Sequence, residues 1–282
     1  LISEASKQFN LILVNARLSD KSYHRWMSRK WLFQTITNKF QTVIVQSKTD
    51  LTKYHNLGVD KAINLKNLKF ANKELEVDLK KLAEFQDVFT DKKIFVASST
   101  HKEDETVTLK IIRSLKKDNL NYYPIIILRH PERRDELIQQ CTQQKLKYSL
   151  HSKNKLPSLS DDLYIVDSIG ELGLFYRLAF ITFVGGSFKH GGHNLVEPAY
   201  FGNIILLGPD MSNFQNIADE MVAASAAIQI KNETELTDQI KFFLDSKNEK
   251  ISKKTAQNAL NFVDNSEDIL GNYLSEIDRL LK

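Results

Sequence analysis

A short stretch with four glycines constrains this 282-residue chain more than any other feature. The apolar residues Phe183 and Val184 lead into Gly185 and Gly186, and a second glycine pair follows shortly after. Glycine lets a backbone turn at positive φ and approach a bound group closely, and a following helix presents unpaired N–H groups. The stretch therefore predicts a buried strand, a loop suited to an anionic ligand and the start of a helix.

The residues after the second glycine pair have two interpretations. Asn194 and Glu197 have the N-cap and N3 spacing of a capping box, and Pro198 suits a first helical turn. A glutamate in that turn can also accept two hydrogen bonds from the vicinal hydroxyls of a ribose. Both interpretations stay open, because they need the same geometry.

Short apolar runs alternate with helical patterns along the rest of the chain. Such alternation predicts α/β units with parallel sheets, whose ligands bind at the carboxyl ends of the strands. We place a domain boundary at the linker near residue 90. The predicted strands begin at Leu11, Thr42, Ala62, Ile94, Ile125, Leu163 and Ile204.

Polar residues stand where several of these strands end, and each group has a functional and a structural interpretation. Arg17 could clamp a phosphate or carboxylate, or anchor its loop. The hydroxyls of Ser98 and Ser99 could cradle a phosphate ahead of a helix, or the next residue, Thr100, could simply cap that helix. Residues 129–133 bring two guanidinium groups and an imidazole to the expected ligand crevice, or begin a helix whose charges pair in solvent.

Five blocks in order along the chain resemble the 3-deoxy-D-manno-octulosonic acid (Kdo) transferases, which are glycosyltransferases of the GT-B type. The resemblance spans about residues 1–220 and is strongest from Asp167 to Pro209. The blocks are Asn15–Ser19, Asn67–Phe70, Arg129–Arg133, Ile169–Leu172 and Gly185–Pro198.

The resemblance implies a fold, a reaction and a place in the cell. The fold would be two Rossmann-like domains, the first incomplete: residues 1–90 on the acceptor side, residues 91–265 binding the donor, and a terminal helix in residues 266–282 packing back on the first domain. The reaction would move Kdo from its cytidine monophosphate ester (CMP-Kdo) to the lipid A precursor, lipid IVA, in lipopolysaccharide synthesis. The protein would work at the cytoplasmic face of the bacterial inner membrane.

The resemblance also implies roles for individual residues. Lys69 would assist the transition state, and Arg17 is the second catalytic candidate. No metal and no cofactor besides the donor is expected, and the chain has no Asp-x-Asp motif. The residues implied in donor binding are Ser98, Ser99, Arg129, His130, Pro131, Arg133, Ile169, Gly170, Glu171, Gly186, Ser187, Gly191, Gly192, His193, Asn194, Leu195, Val196 and Glu197.

Two departures from the family pattern qualify these expectations. The family's catalytic base and membrane anchor lie upstream of the strand that matches Leu11–Val14, so we name no base and expect this chain to bind donor better than it turns over. The loop Phe188–His190 is about one residue shorter than in the family.

The composition of the chain limits the classes of function that it can have. The 39 basic and 35 acidic residues are spread along the chain, which argues against a dedicated nucleic-acid binder and leaves a mildly basic face for anionic lipid. Cys141 is the single cysteine, so no internal disulfide forms.

The competing hypotheses are another GT-B enzyme, either a transferase or an epimerase of a uridine diphosphate sugar, and a non-catalytic nucleotide- or RNA-binding protein that uses residues 23–30.

Overall fold

The computed structural model describes residues 1–68, 74–118, 120–153, 156–264 and 269–281. The strands are β1 (Leu11–Ala16), β2 (Phe40–Val45), β3 (Ala62–Asn64), β4 (Lys93–Thr100), β5 (Tyr122–Leu128), β6 (Tyr148–Leu150), β7 (Leu163–Val166), β8 (Ala179–Val184), β9 (Ile204–Leu207) and β10 (Ile228–Gln229). The helices are α1 (Ile2–Ala5), α2 (Asp20–Met27), α3 (Lys30–Thr37), α4 (Lys48–Asn56), α5 (Leu79–Val88), α6 (Lys102–Leu115), α7 (Arg134–Gln143), α8 (Leu172–Leu178), α9 (Gln215–Ala223), α10 (Glu233–Leu244), α11 (Glu249–Asp264) and α12 (Ile269–Leu281).

The contacts divide the chain into two compact units, each with its own parallel sheet. The first unit holds Leu1–Lys73 and Ser266–Lys282, and the second holds Glu74–Asn265. The sheet of the first unit has the order β1-β2-β3, and that of the second has the order β10-β9-β8-β4-β5-β7-β6. Every strand pair is parallel, as the alternation of strands and helices predicts.

The three-stranded sheet of the first unit is covered on both faces. On one face Val43 and Val45 pack with Phe33 of α3 and Tyr54 of α4. On the other face Ile44 packs with Tyr273 of α12, whose hydroxyl donates to the Lys66 carbonyl at 2.8 Å. The closing helix is therefore part of the core of this unit.

Residues 23–33 carry basic and aromatic side chains and form parts of two helices, α2 and α3. Trp26 and Phe33 are in contact, with ring centroids 5.2 Å apart, and both pack into the core of the first unit. Trp31 is largely exposed. Most of the aromatic surface in this segment thus stabilises the fold.

The seven-stranded sheet of the second unit is buried on both faces. The side chains of its central strand, β4, point alternately into the two core clusters. Phe95 and Ala97 face one core cluster, with α6, α7 and α10, while Ile94 and Val96 face the other, with α5 and α8. Cys141 is fully buried in the first of these clusters, and burial raises the pKa of its thiol to about 12.

The predicted boundary at residue 90 is wrong, because the units separate between residues 73 and 74. Helix α5 packs Leu82 and Phe85 against β4 and β5 and so belongs to the second unit. Its amphipathic pattern predicts a helix but not which sheet the apolar face covers. The short edge strands β6 and β10 were not predicted.

Among the described residues, no helix combines the length and the apolar character needed to cross a bilayer.

Candidate functional site

The predicted donor residues of the second unit meet at the carboxyl ends of four neighbouring strands. β4 lies in the middle of the sheet, with β5 and β7 on one side and β8 on the other. The chain fills one half of the sheet from β4 through β7 and then crosses to the other half with β8. A switch of this kind opens a crevice at the carboxyl ends of the strands, which is where open α/β sheets bind ligands.

The glycine-rich loop after β8 has the backbone that the sequence predicts. Gly186, Gly191 and Gly192 have φ values of +69°, +77° and +72°. The loop closes on itself, since the N–H groups of His190 and Gly192 both donate to the Gly186 carbonyl, at 2.8 and 3.0 Å. A side chain at Gly185 would collide with the end of β4, because its Cβ would lie 2.5 Å from the Ser99 carbonyl oxygen.

The predicted donor-binding hydroxyls of Ser98 and Ser187 serve the fold. Both residues are fully buried. Ser187 Oγ donates to the Val184 carbonyl at 2.5 Å and accepts from Gly208 N–H at 2.8 Å, which fixes the loop to the strand ends. Ser99, in contrast, has a positive φ of +51° and lines the cavity described below.

The helix predicted to start at Asn194 is absent, and this prediction is wrong. Only a 3₁₀ turn, Pro198–Phe201, follows the loop, and Gly202 ends it at a φ of +67°. A turn of four residues lacks the aligned peptide dipoles of a helix, so the expected helix N-terminus does not contribute to anion binding.

Asn194 instead holds the glutamate that the sequence singled out. Its Oδ1 accepts from the backbone N–H of Val196 at 3.0 Å, and its Nδ2 donates to Oε1 of Glu197 at 2.9 Å. Burial raises the pKa of Glu197, and the amide of Asn194 offsets part of that rise. Leu195 and Val196 are buried and anchor this segment in the core.

A small cavity collects predicted residues from three loops. Its volume is about 50 Å³, and it opens at the carboxyl ends of β5 and β7. Ligand pockets usually measure about 300 Å³ or more, so this cavity has room for only a part of a nucleotide. The predicted residues in its lining are Ser99, Arg129, Ile169, Gly170 and Glu171.

Glu171 is held as a carboxylate by three partners. Lys81 Nζ lies 2.5 Å from its Oε1, and His151 Nε2 and Ser168 Oγ lie 2.6 and 3.0 Å from its Oε2. Burial alone would raise its pKa, but these hydrogen bonds and charges lower it below the usual value. An ionised Glu171 at the rim of the cavity can accept hydrogen bonds from a ligand.

The two arginines of the predicted Arg129–Arg133 block have different surroundings. Arg133 makes two hydrogen bonds, at 2.9 and 3.1 Å, to the fully buried carboxylate of Glu105 and a third to Glu136. Arg129 is exposed beside the cavity. Pro131 begins a 3₁₀ turn that continues into α7, and His130 Nδ1 lies 3.3 Å from Glu132. Arg129 is thus the better placed of the two for an anionic ligand.

Two histidines at this edge were not predicted. His101 follows β4, and His190 stands in the glycine loop next to the predicted His193. The Nε2 atoms of His101 and His193 lie 2.9 Å apart. No local pattern signals this contact, because the two residues are far apart in the chain.

The catalytic candidates belong to the first unit. Arg17 is exposed just after β1, in a loop fixed by Leu18 N–H donating to Asp50 at 2.9 Å. Asn15, in β1 with a φ of +54°, accepts from Leu68 N–H at 3.1 Å, which joins the end of β1 to the loop after β3. Lys69 lies outside the described residues. Within the described ranges, no group of three or more histidine, cysteine or acidic residues is placed to hold a metal ion.

Comparisons with known proteins agree with the resemblance seen in the sequence. Residues 1–72 match the model of the family described as 3-deoxy-D-manno-octulosonic-acid transferase (kdotransferase). The 3-deoxy-D-manno-octulosonic acid transferase of Rickettsia bellii is 46% identical over 278 residues, which cover 99% of this chain and 66% of that protein. The chain belongs to the Kdo transferase family.

Solved structures extend the comparison to the fold. The C-terminal CMP-Kdo binding domain of WaaA from Acinetobacter baumannii is 28% identical and covers 66% of this chain and 96% of that domain, with a TM-score of 0.61. A glycosyltransferase from Rickettsia africae is 15% identical to this chain. The match covers 100% of this chain and 79% of the glycosyltransferase, with a TM-score of 0.59. The predicted α/β fold of the GT-B type is confirmed. The chain spans about two thirds or less of the length of the curated relatives it matches.

Proposed function

We propose that the chain carries the donor site of an enzyme that transfers Kdo from CMP-Kdo to the lipid A precursor, lipid IVA, in lipopolysaccharide synthesis. The named activity of the relatives and the CMP-Kdo-binding domain of A. baumannii support the reaction class and the donor. The acceptor and the place of action, the cytoplasmic face of the inner membrane, are part of the same proposal. The mildly basic balance of the chain suits a surface of anionic lipid.

The observation that carries this proposal is the placement of Glu197. Its carboxylate lies beside the glycine loop, oriented by Asn194 and partly removed from solvent. A carboxylate in this position can accept hydrogen bonds from both hydroxyls of a ribose, and those bonds would compensate for its burial. In the proposal Glu197 holds the ribose of CMP.

The remaining donor groups divide between the base and the phosphate. The cavity with Gly170 and the ionised Glu171 offers acceptors for an amino group on a base edge. The exposed guanidinium of Arg129 and the N–H groups of the glycine loop are the groups proposed to neutralise the phosphate as it leaves, without a metal ion or cofactor. Arg17 and Lys69 of the first unit are proposed to assist the transfer.

Isothermal titration of the chain with CMP tests the donor site. We expect saturable binding that weakens by about 1 to 3 kcal/mol in the Glu197→Ala variant, because buried polar groups lose a partner. Glu84→Ala, at an exposed position of α5, is the matched control and should bind like the unsubstituted chain. Added EDTA should leave binding unchanged.

Two results would contradict the proposal. One is the absence of CMP binding by a folded chain. The other is tighter binding of uridine diphosphate than of CMP, which would favour a GT-B enzyme that uses a nucleoside diphosphate sugar.

A further inference from the structure

Four histidines from three loops meet at the carboxyl edge of the second sheet. The ring of His101 lies 4.2 Å from that of His190, 5.1 Å from that of His193 and 5.5 Å from that of His130, measured between centroids. We call these four residues the histidine cluster. In the 2.9 Å contact between Nε2 of His101 and Nε2 of His193, one nitrogen donates and the other accepts. At least one of the two rings is therefore neutral in this arrangement.

The histidine cluster is built into the glycine loop. A Cβ at Gly186 would lie 3.0 Å from the ring of His193, so the ring packs directly on the loop backbone. The buried carboxylate of Asp104 accepts from the backbone N–H groups of His101 and Gly186, at 2.9 and 2.7 Å. One side chain thus ties the loop after β4 to the loop after β8, and a ligand of the glycine loop would also contact the imidazoles.

Charged groups face the histidine cluster from every element packed around it. Glu103 of α6 lies 3.3 Å from His190 and 3.5 Å from Lys189, and Glu132 lies 3.3 Å from His130. Arg133 is committed to Glu105 and Glu136. The other charged groups close to the histidine cluster are Asp104, Arg129 and Asp210, whose carboxylate accepts from the backbone N–H of Gly191 at 2.9 Å.

The two central imidazoles are neutral near pH 7. Burial, together with the smaller effect of the neighbouring histidines and arginines, lowers the pKa of His101 and of His193 to about 4. The cost of protonating them is mutual repulsion together with lost solvation. A dianionic group against the rings would remove both costs, since an opposite charge within about 4 to 6 Å favours the charged form.

We propose that His101 and His190 join His193 and Arg129 in holding the phosphate of the CMP moiety, and that the histidine cluster takes up a proton when CMP itself, a phosphate monoester, binds. The inference rests on the proposed function and deepens it. The proton comes from solvent, sits on an imidazole nitrogen and returns to solvent when the nucleotide leaves. Because the bound state holds more protons than the free state, nucleotide affinity falls as pH rises.

Calorimetry in buffers of different ionisation enthalpy counts the protons directly. CMP is titrated at a pH of about 7.5, where a phosphate monoester is mostly dianionic because its second pKa is about 6. The observed enthalpy plotted against buffer ionisation enthalpy should have a slope that shows net proton uptake. Cytidine, which lacks the phosphate, should bind without uptake.

Three variants assign the proton to the histidine cluster. His101→Gln and His190→Gln should each lower proton uptake by at least half and weaken CMP binding about tenfold, as expected for the loss of a hydrogen bond to a charged group. Neither should change the affinity for cytidine. His190 is exposed, so its variant stays informative if His101→Gln does not fold. His55→Gln, at an exposed position of α4 in the first unit, should behave like the unsubstituted chain.

The outcomes separate this inference from the proposed function. Saturable CMP binding with a slope of zero, or with a slope that neither cluster variant changes, overturns the inference and leaves the proposed function standing. A folded chain that does not bind CMP overturns the proposed function and the inference with it.

Discussion

Arg133 shows how a single residue with a convincing sequence context can serve the fold. Its block lies at the end of a strand, next to an imidazole and a second arginine, and so predicts an anion clamp. In the structure its guanidinium neutralises Glu105, which lies fully buried in α6. Burial raises the pKa of Glu105, and the paired arginine opposes that rise.

Replacing Arg133 should therefore affect stability. Arg133→Met leaves a buried carboxylate without its partner, and we expect unfolding free energy to fall by about 3 kcal/mol. Urea unfolding followed by circular dichroism measures this. Arg113→Met, exposed on the same helix as Glu105, should stay within about 0.5 kcal/mol of the unsubstituted chain. If the Arg133→Met variant is stable but binds CMP poorly, Arg133 binds the anionic ligand, as the sequence predicts.

The neutral histidines predict a pH dependence of stability. Because the folded pKa of His101 is about 4 and the ordinary value is 6.5, the unfolded chain binds more protons between these values. Stability from this residue is present above pH 6.5 and is lost as pH falls towards 4.

Comparing His101→Gln with the unsubstituted chain isolates this contribution. The stability difference between them should shrink as pH falls through that window, because only the unsubstituted chain loses stability by protonation at residue 101. Urea titrations at several pH values measure the difference, with His55→Gln as the control. A difference that is constant with pH would show that His101 is not held neutral.

At the scale of elements, the connection from β8 to β9 depends on the buried side-chain amide of Asn203. Asn203 donates to the carbonyls of Tyr176 and Ala179, at 2.9 and 3.0 Å, and accepts from Thr182 at 2.7 Å. It thereby joins the end of α8 and the start of β8 to the segment that follows the 3₁₀ turn Pro198–Phe201. Local pattern did not predict this role, because asparagine beside glycine is typical of any turn.

Removing this amide should loosen all three elements. Asn203→Ala removes three hydrogen bonds at a buried side chain, and we expect a loss of about 3 kcal/mol. Asn258→Ala removes one exposed hydrogen bond to Ser225 and should change stability by less than about 0.5 kcal/mol. Equal urea midpoints for the two variants would show that the amide does not join these elements.

At the scale of the whole molecule, the last helix, α12, covers one face of the three-stranded sheet, although it is far from those strands in the sequence. Tyr273 is 2% exposed, and its hydroxyl bonds to residue 66 near the end of β3. Both tryptophans, Trp26 and Trp31, lie in the first unit, so tryptophan fluorescence reports on that unit alone.

Truncating Tyr273 should weaken the first unit selectively. Tyr273→Ala removes a buried ring from α12, and we expect the fluorescence-detected unfolding transition to lose about 3 kcal/mol. Leu274→Ala, largely exposed on the same helix, is the control. Hydrogen exchange in β4 and β5 should be unchanged. Equal loss of protection in both units would mean that they unfold as one.

The sequence alone determined the class of fold and the edge of the sheet where the candidate site lies. Continuous apolar runs are stable only as strands buried on both faces, and strand–helix alternation forces those strands to be parallel. Loops that follow such strands must then meet at one edge, which is why Ser99, Arg129, Gly170 and Glu171 were found together.

Only the tertiary structure decided which residues of that edge are paired and which are open to a ligand. Arg133 is bonded to Glu105, and Glu171 is bonded to Lys81 and His151. His101 contacts His193, which is 92 positions away in the sequence. It also decided that α5 belongs to the second unit, whereas the place of α12 in the first unit agrees with what the resemblance implied. These contacts depend on packing between distant segments, whereas local periodicity fixes only the element to which a residue belongs.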